Sequence, residues 1–208
     1  LDVLLNSNKI IPHYNVRIKN SHAISSPISA EIHWTSNCNY DCVHCSYGSR
    51  RKTTNYLKKQ VIENLINDLI IMECQGVYLS GGGEPTVVKK WGVYSDQLIS
   101  NGVEVALITN GIAVQERHIN TIRKMNYIAI SVYSTKEERY NKITESRFFD
   151  KQFSLPKIIK NNKSAVVVGA RCVINKINYD ELYDIYCAAM EAGFDYIIFI
   201  PAVDYEGR

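Results

Sequence analysis

Three cysteines fall within eight residues, in the run CNYDCVHC: Cys38, Cys42 and Cys45, spaced Cys-x₃-Cys-x₂-Cys. Thiolates are soft ligands that suit zinc or iron-sulfur clusters. A cubane cluster normally takes four cysteines, so a loop that supplies three leaves one iron without a protein ligand and open to chemistry. The other cysteines, Cys74, Cys172 and Cys187, are dispersed. Six cysteines could form three disulfides in a secreted protein, but crowding in one loop fits metal binding in a reducing compartment better, and the expected location is cytoplasmic. The dispersed three read as small core residues.

A second run, VYLSGGGEPTV (Val77 to Val87), carries Gly82, Gly83, Glu84 and Pro85. It lacks the Lys-Ser/Thr ending of a P-loop and the Gly-x-Gly-x-x-Gly register of a dinucleotide fingerprint, and Glu84 would repel phosphate. Blander readings stand beside these. The cysteine triad admits a structural zinc site completed by His44, although His44 adjoins Cys45 and zinc modules usually supply two separated ligand pairs. Thr109-Asn110-Gly111 also reads as a strand-ending turn, and Arg171 as a surface or ion-paired residue. The remaining histidines have no partner spacing.

Taken together, the two runs resemble the radical S-adenosylmethionine (SAM) enzymes, whose signature is Cys-x₃-Cys-x-φ-Cys followed by GGEP after the second strand. His44 stands at φ, where the family more often has tyrosine or phenylalanine. The likeness continues through LITNG (Leu107 to Gly111), ISVYS (Ile130 to Ser134) and Arg171, and spans residues 30 to 201. It implies a 4Fe-4S cluster on Cys38, Cys42 and Cys45, with SAM chelating the fourth iron. The implied SAM contacts are the backbone at His44, acceptors at Gly82, Gly83 and Glu84, hydrogen-bonding groups at Asn110 and Ser131, and the Arg171 guanidinium for the SAM carboxylate. Glycines there would let the main chain come close to the ligand.

The implied reaction is reductive cleavage of SAM to methionine and a 5'-deoxyadenosyl radical, which abstracts hydrogen from substrate. The expected substrate is a peptide or protein. A small molecule or cofactor precursor is the alternative, and a noncatalytic iron-sulfur or zinc-binding protein is the reading from another class. The implied electron donor is a one-electron reductant such as flavodoxin or ferredoxin. With no cysteine-rich extension of the kind peptide-modifying relatives often carry, one cluster is expected.

Residues so far apart in sequence need a scaffold that gathers them. The chain has 208 residues, 46% of them hydrophobic, enough for one sizeable core. A net charge of +3 with interspersed signs gives no electrostatic case for nucleic acid or membrane, and no apolar run reaches the roughly 20 residues of a membrane span. The basic stretch KIIKNNK at Lys157 to Lys163 reads as a solvated helix end.

Strands are expected at residues 30–35, 76–80, 103–109, 127–133, 165–174 and 194–200. Helical periodicity falls at residues 55–74, 91–101, 115–125, 136–143, 154–161 and 179–192. Six βα repeats argue for an α/β fold with parallel strands and right-handed crossovers. At 208 residues the chain is short for an eight-strand barrel of about 250, and the family resemblance implies a partial (β/α)₆ TIM-like barrel. Either way the loops after the strand C-termini form the site. Residues 1–29, with Pro12 and Pro27, read as an irregular arm with a possible edge strand at Tyr14 to Ile18. Residues 30–208 read as the core domain, and the first residue Leu1 and the stop at Arg208 leave a truncated C-terminus as one reading of its end. Asp204 and Tyr205 would lie near the mouth of the site.

Overall fold

Six runs rich in Val, Ile and Leu form parallel strands: β1 (Ser29–Ile32), β2 (Gly76–Leu79), β3 (Glu104–Thr109), β4 (Tyr127–Ser131), β5 (Val167–Ile174) and β6 (Tyr196–Pro201). They belong to a computed structural model that describes residues 27–48, 55–161 and 164–203. The proposed edge strand at Tyr14 to Ile18, and Asp204 and Tyr205, lie outside the described residues. The strands pair in sequence order, β1-β2-β3-β4-β5-β6, each parallel to the next. Among the described residues the sheet is open, with β1 and β6 at its two edges.

The crossovers carry α1 (Lys59–Ile71), α2 (Trp91–Ser100), α3 (Ile119–Arg123), α4 (Glu137–Thr144), α5 (Leu155–Lys160) and α6 (Leu182–Ala192). Alternate strand residues turn to the helices. Val77 and Leu79, Val105 and Leu107, Ile128 and Ile130, and Val168 and Ala170 bury against Ile66 of α1, Leu98 of α2, Ile159 of α5 and Ile185 of α6 in one core. Because strand side chains alternate, Tyr78, Tyr127, Ser131 and Arg171 stand on the other face, away from the helices. A smaller cluster of Tyr40, Tyr133, Tyr140 and Ile143 lies between α4 and the loop after β1.

The elements follow the expected positions, several with shortened ends, and the backbone hydrogen bonds give the reasons. β1 was expected to reach Thr35 and stops at Ile32. Beyond it, the Trp34 carbonyl accepts from Leu57 N–H (2.9 Å), Ser36 N–H donates to the Asn55 carbonyl (2.9 Å), and Thr35 bridges Tyr56. The same contacts keep residues 55–57 out of α1. β4 gives way after Ser131 because Tyr133 N–H turns to the Gln152 side chain (3.1 Å). The expected helix at 115–125 opens as a 3₁₀ turn, Glu116–His118, where His118 and Gln115 form a reciprocal cap before α3. α6 starts late because Asn178 is held by the Tyr133 and Val173 carbonyls (2.9 and 3.1 Å), and it ends at Gly193 with φ +94°. Lys157 and Lys160 occupy the last turn of α5, where Lys160 pairs with Asp195.

Candidate functional site

The cysteine loop leaves β1 and crosses the C-terminal edge of the sheet, held at alternate residues. The Asn37 carbonyl accepts Glu84 N–H (2.8 Å), and Asn39 Oδ1 accepts Asn110 Nδ2 (2.7 Å). Asp41 and Val43 donate their N–H groups to the carbonyls of Thr144 and Ile143 (3.1 and 2.9 Å). Those carbonyls close the C-terminus of α4, where a helix has no partners of its own to offer. The loop is thus tied to the glycine run, to the end of β3 and to α4. A turn closed by Cys45 N–H to the Cys42 carbonyl (3.0 Å) brings these two cysteines together, and Tyr40 N–H points at Cys38 Sγ (3.4 Å).

All three cysteines are half-buried, outside any disulfide, and line one cavity of about 350 Å³ at the strand C-terminal ends. His44, Gly82, Gly83, Glu84, Asn110 and Ser131 line it as well. Arg171 does not. It pairs in register with Ser131 and Ile198, and its charge acts on the phenols of Tyr127 and Tyr196, lower on the same face of the sheet. Of the expected cluster ligands and SAM contacts, all among the described residues, Arg171 alone is left off the cavity wall.

The glycine run proves to be fitted to the protein itself. A Cβ at Gly83 would lie 2.1 Å from the Asn37 carbonyl oxygen, and one at Gly82 would lie 3.3 Å from the Tyr47 ring. The missing side chain at Gly83 makes room for the cysteine loop, and Glu84 N–H takes up the carbonyl that passes there. The Glu84 carboxylate is 3% exposed. Its Oε1 accepts from Thr86 N (3.0 Å), Thr86 Oγ1 (2.5 Å) and Thr109 Oγ1 (2.5 Å), and Oε2 accepts from Asn110 N (2.8 Å). Burial pushes this carboxyl above the ordinary range, while the Thr109, Thr86 and Asn110 donors pull it down. Glu84 therefore sews the glycine run to the end of β3.

Asn110 is similarly engaged. Its Oδ1 accepts Ile112 N–H (3.1 Å) and its Nδ2 reaches Asn39, in a turn that Gly111 completes at φ +79°. The Thr-Asn-Gly run is thus a strand-ending turn that also anchors the cysteine loop. Tyr133, Tyr40 and Tyr47, which the sequence reading did not single out, also line the cavity. Tyr133 was within reach of the pattern, since it follows Ser131 by two residues on a strand-like run and so shares its face. Its ring lies 5.2 Å from that of His44, and burial raises its phenol pKa well above the usual value.

Three soft thiolates on one wall fit an iron-sulfur cluster in kind and number. Among the described residues no three His, Cys, Asp or Glu side chains are drawn together for a single metal ion, whereas a cubane spreads its thiolates over separate irons.

A profile of the radical SAM superfamily matches residues 32–187, from the end of β1 into α6. The chain belongs to the radical SAM superfamily. This is a family of enzymes that use a 4Fe-4S cluster and SAM. Mycofactocin maturase MftC of Mycolicibacterium smegmatis is 25% identical over 189 residues, covering 89% of this chain and 47% of MftC. MftC of Mycobacterium ulcerans is 31% identical over 93 residues, covering 45% of this chain and 25% of its own length. Among solved structures, Streptococcus suis SuiB bound to S-adenosylmethionine superposes with TM-score 0.75 at 16% identity, over 95% of this chain and 45% of SuiB. The structure of anSMEcpe with bound AdoMet gives TM-score 0.70 at 20% identity, over 86% and 52%. The chain thus spans about half the length of these relatives or less. At such identities the solved structures establish the shared fold, a six-stranded parallel α/β sheet that is not closed. No helix among the described residues is long and apolar enough to cross a membrane.

Proposed function

We propose that this chain is the core of a radical SAM enzyme that modifies a peptide or protein, with Cys38, Cys42 and Cys45 as the ligands of one 4Fe-4S cluster. The observation that carries the reading is the convergence of the three thiols, the glycine run and Ser131 on a single cavity. When bound, the cluster and SAM supply one-electron cleavage of a C–S bond and hydrogen abstraction from substrate.

The protein's part is placement. Residues 37, 39, 41 and 43 fix the loop to three separate elements, so the thiolates are presented without the cluster having to organise them. Gly82 and Gly83 offer backbone acceptors for the SAM amino group, and Glu84 acts through them by holding the run in place. His44 and Ser131 supply cavity wall beside the thiols. Apolar Val173 of β5 and Ile200 of β6 line the cavity, where they help to exclude water. Support for a peptide substrate comes from the relatives: MftC is a maturase, SuiB is seen with its precursor peptide SuiA, and anSMEcpe is seen with a Kp18Cys peptide.

The test is anaerobic reconstitution with iron and sulfide, followed by dithionite reduction with SAM and chromatography for 5'-deoxyadenosine. Formation that disappears in Cys42→Ala and persists in Cys187→Ala is expected, Cys187 being an exposed residue of α6. Equal cluster loss in both variants would sink the ligand assignment, and a protein that takes up zinc but no cluster would sink the function.

A further inference from the structure

The three thiols are unequally served by the protein around them. Cys38 Sγ faces a backbone donor, Tyr40 N–H, which no side-chain substitution removes. Cys42 Sγ lies 3.9 Å from the hydroxyl of Tyr133. That phenol is buried and has little freedom to move: its ring packs against Tyr40 (6.5 Å), Tyr140 (6.4 Å) and His44 (5.2 Å). Ser131 acts on the same phenol as a hydrogen-bond donor would, opposing the effect of burial on it. Ser131, Tyr133 and Cys42 line the same cavity.

We propose that Tyr133 is a positioning and potential-setting residue, donating its O–H to Cys42 Sγ. This rests on the assignment of Cys42 as a cluster ligand. A thiol offers its own proton to the phenol oxygen, whereas an iron-bound thiolate only accepts, so the phenol proton turns toward sulfur. Hydrogen bonds to the sulfurs are among the factors that set a cluster's potential. A donor at sulfur draws off electron density and favours the reduced, more negative cluster. The Ser131 hydroxyl, by donating to the phenol oxygen, polarises the phenol and strengthens its donation.

The measurement is the midpoint potential of the reconstituted cluster, without SAM, by redox titration followed by electron paramagnetic resonance. Tyr133→Phe keeps the ring and removes the donor, and its midpoint should move to a more negative value. Ser131→Ala should move it the same way by less. Tyr40→Phe is the control, because its hydroxyl faces Tyr140 within the same cluster of rings, and it should leave the midpoint where it is. Equal midpoints in wild type and Tyr133→Phe would overturn the inference, as would an equal shift in Tyr40→Phe, which would mark a general packing effect. If Tyr133→Phe assembles no cluster, Ser131→Ala decides: a midpoint unchanged from wild type overturns the inference. A wild-type protein that takes up no cluster overturns the proposed function itself, a result distinct from a loaded cluster with unmoved potentials.

Discussion

The glycine run after β2 and the cysteine loop after β1 lie against each other and are finished in opposite ways. In the glycine run the close packing and the carboxylate are engaged by the protein, while the backbone of Gly82 and Gly83 borders the cavity. Gly83 is packed against the Asn37 backbone, and four donors surround the Glu84 carboxylate. In the cysteine loop the backbone at residues 37, 41 and 43 and the Asn39 side chain do the anchoring, and the half-buried sulfurs remain on the cavity wall. One loop is a brace and the other a presenting surface. The two motifs therefore depend on each other, because the brace is shaped to the path of the loop it supports.

The largest break in that comparison should come from Gly83→Ala. Its Cβ would fall 2.1 Å from the Asn37 oxygen and 2.7 Å from the Asn37 and Ser36 carbonyl carbons, all backbone atoms that no rotamer change can move. Overpacking of this kind costs typically 1–3 kcal/mol, so a loss of about 3 kcal/mol is expected. The same clash separates Glu84 N–H from its acceptor, so the cysteine loop should loosen and iron uptake fall. Denaturant unfolding and iron analysis check both. Wild-type stability with wild-type iron would mean that the two loops do not meet as described.

Next in size is Glu84→Gln. The amide would turn two donors of its own toward a site already filled by donors, two of them backbone N–H groups that cannot reverse. Leaving buried groups unmatched costs about 1–3 kcal/mol. SAM affinity should fall along with stability, and Thr109→Val, which removes one of the same hydrogen bonds, should reproduce both effects on a smaller scale. A Glu84→Gln protein that loses SAM affinity at unchanged stability would restore the carboxylate as a direct ligand and erase the contrast between the loops.

These two positions also show how far the sequence could be read. The strand and helix order was legible because period-2 and period-3.6 apolar patterns alternate cleanly, as at Val105 and Leu107 of β3 against Leu98 of α2. The gathering of the three cysteines on one wall was legible because their spacing is local. The role of Glu84 was not, since its partners Thr109 and Asn110 lie about 25 residues away and a carboxylate beside glycines looks the same whether it faces a ligand or the protein. Strand ends were lost for a related reason. The hydrogen bonds that stop β1 at Ile32 go to residues 55–57, about 20 positions along the chain and beyond the reach of any local pattern.

Arg171 sharpens the comparison with the smallest expected effect. It shares the sheet face of Ser131 and is its register partner, so the sequence offers no means of telling whether its long side chain rises to the cavity or drops away from it. Its charge acts on Glu31 as well as on Tyr127 and Tyr196, and Tyr196 lies close over Gly169, two residues before Arg171. Arg171 is not among the residues that line the cavity with the thiols. Arg171→Gln in the reconstituted protein should then leave SAM affinity unchanged by calorimetry. A guanidinium that bound the SAM carboxylate would be worth at least tenfold, about 1.4 kcal/mol, and charge-assisted bidentate pairs are among the stronger hydrogen bonds. A loss of that size would bring Arg171 up to the cavity and add to its wall a cation that the braced glycine run does not supply.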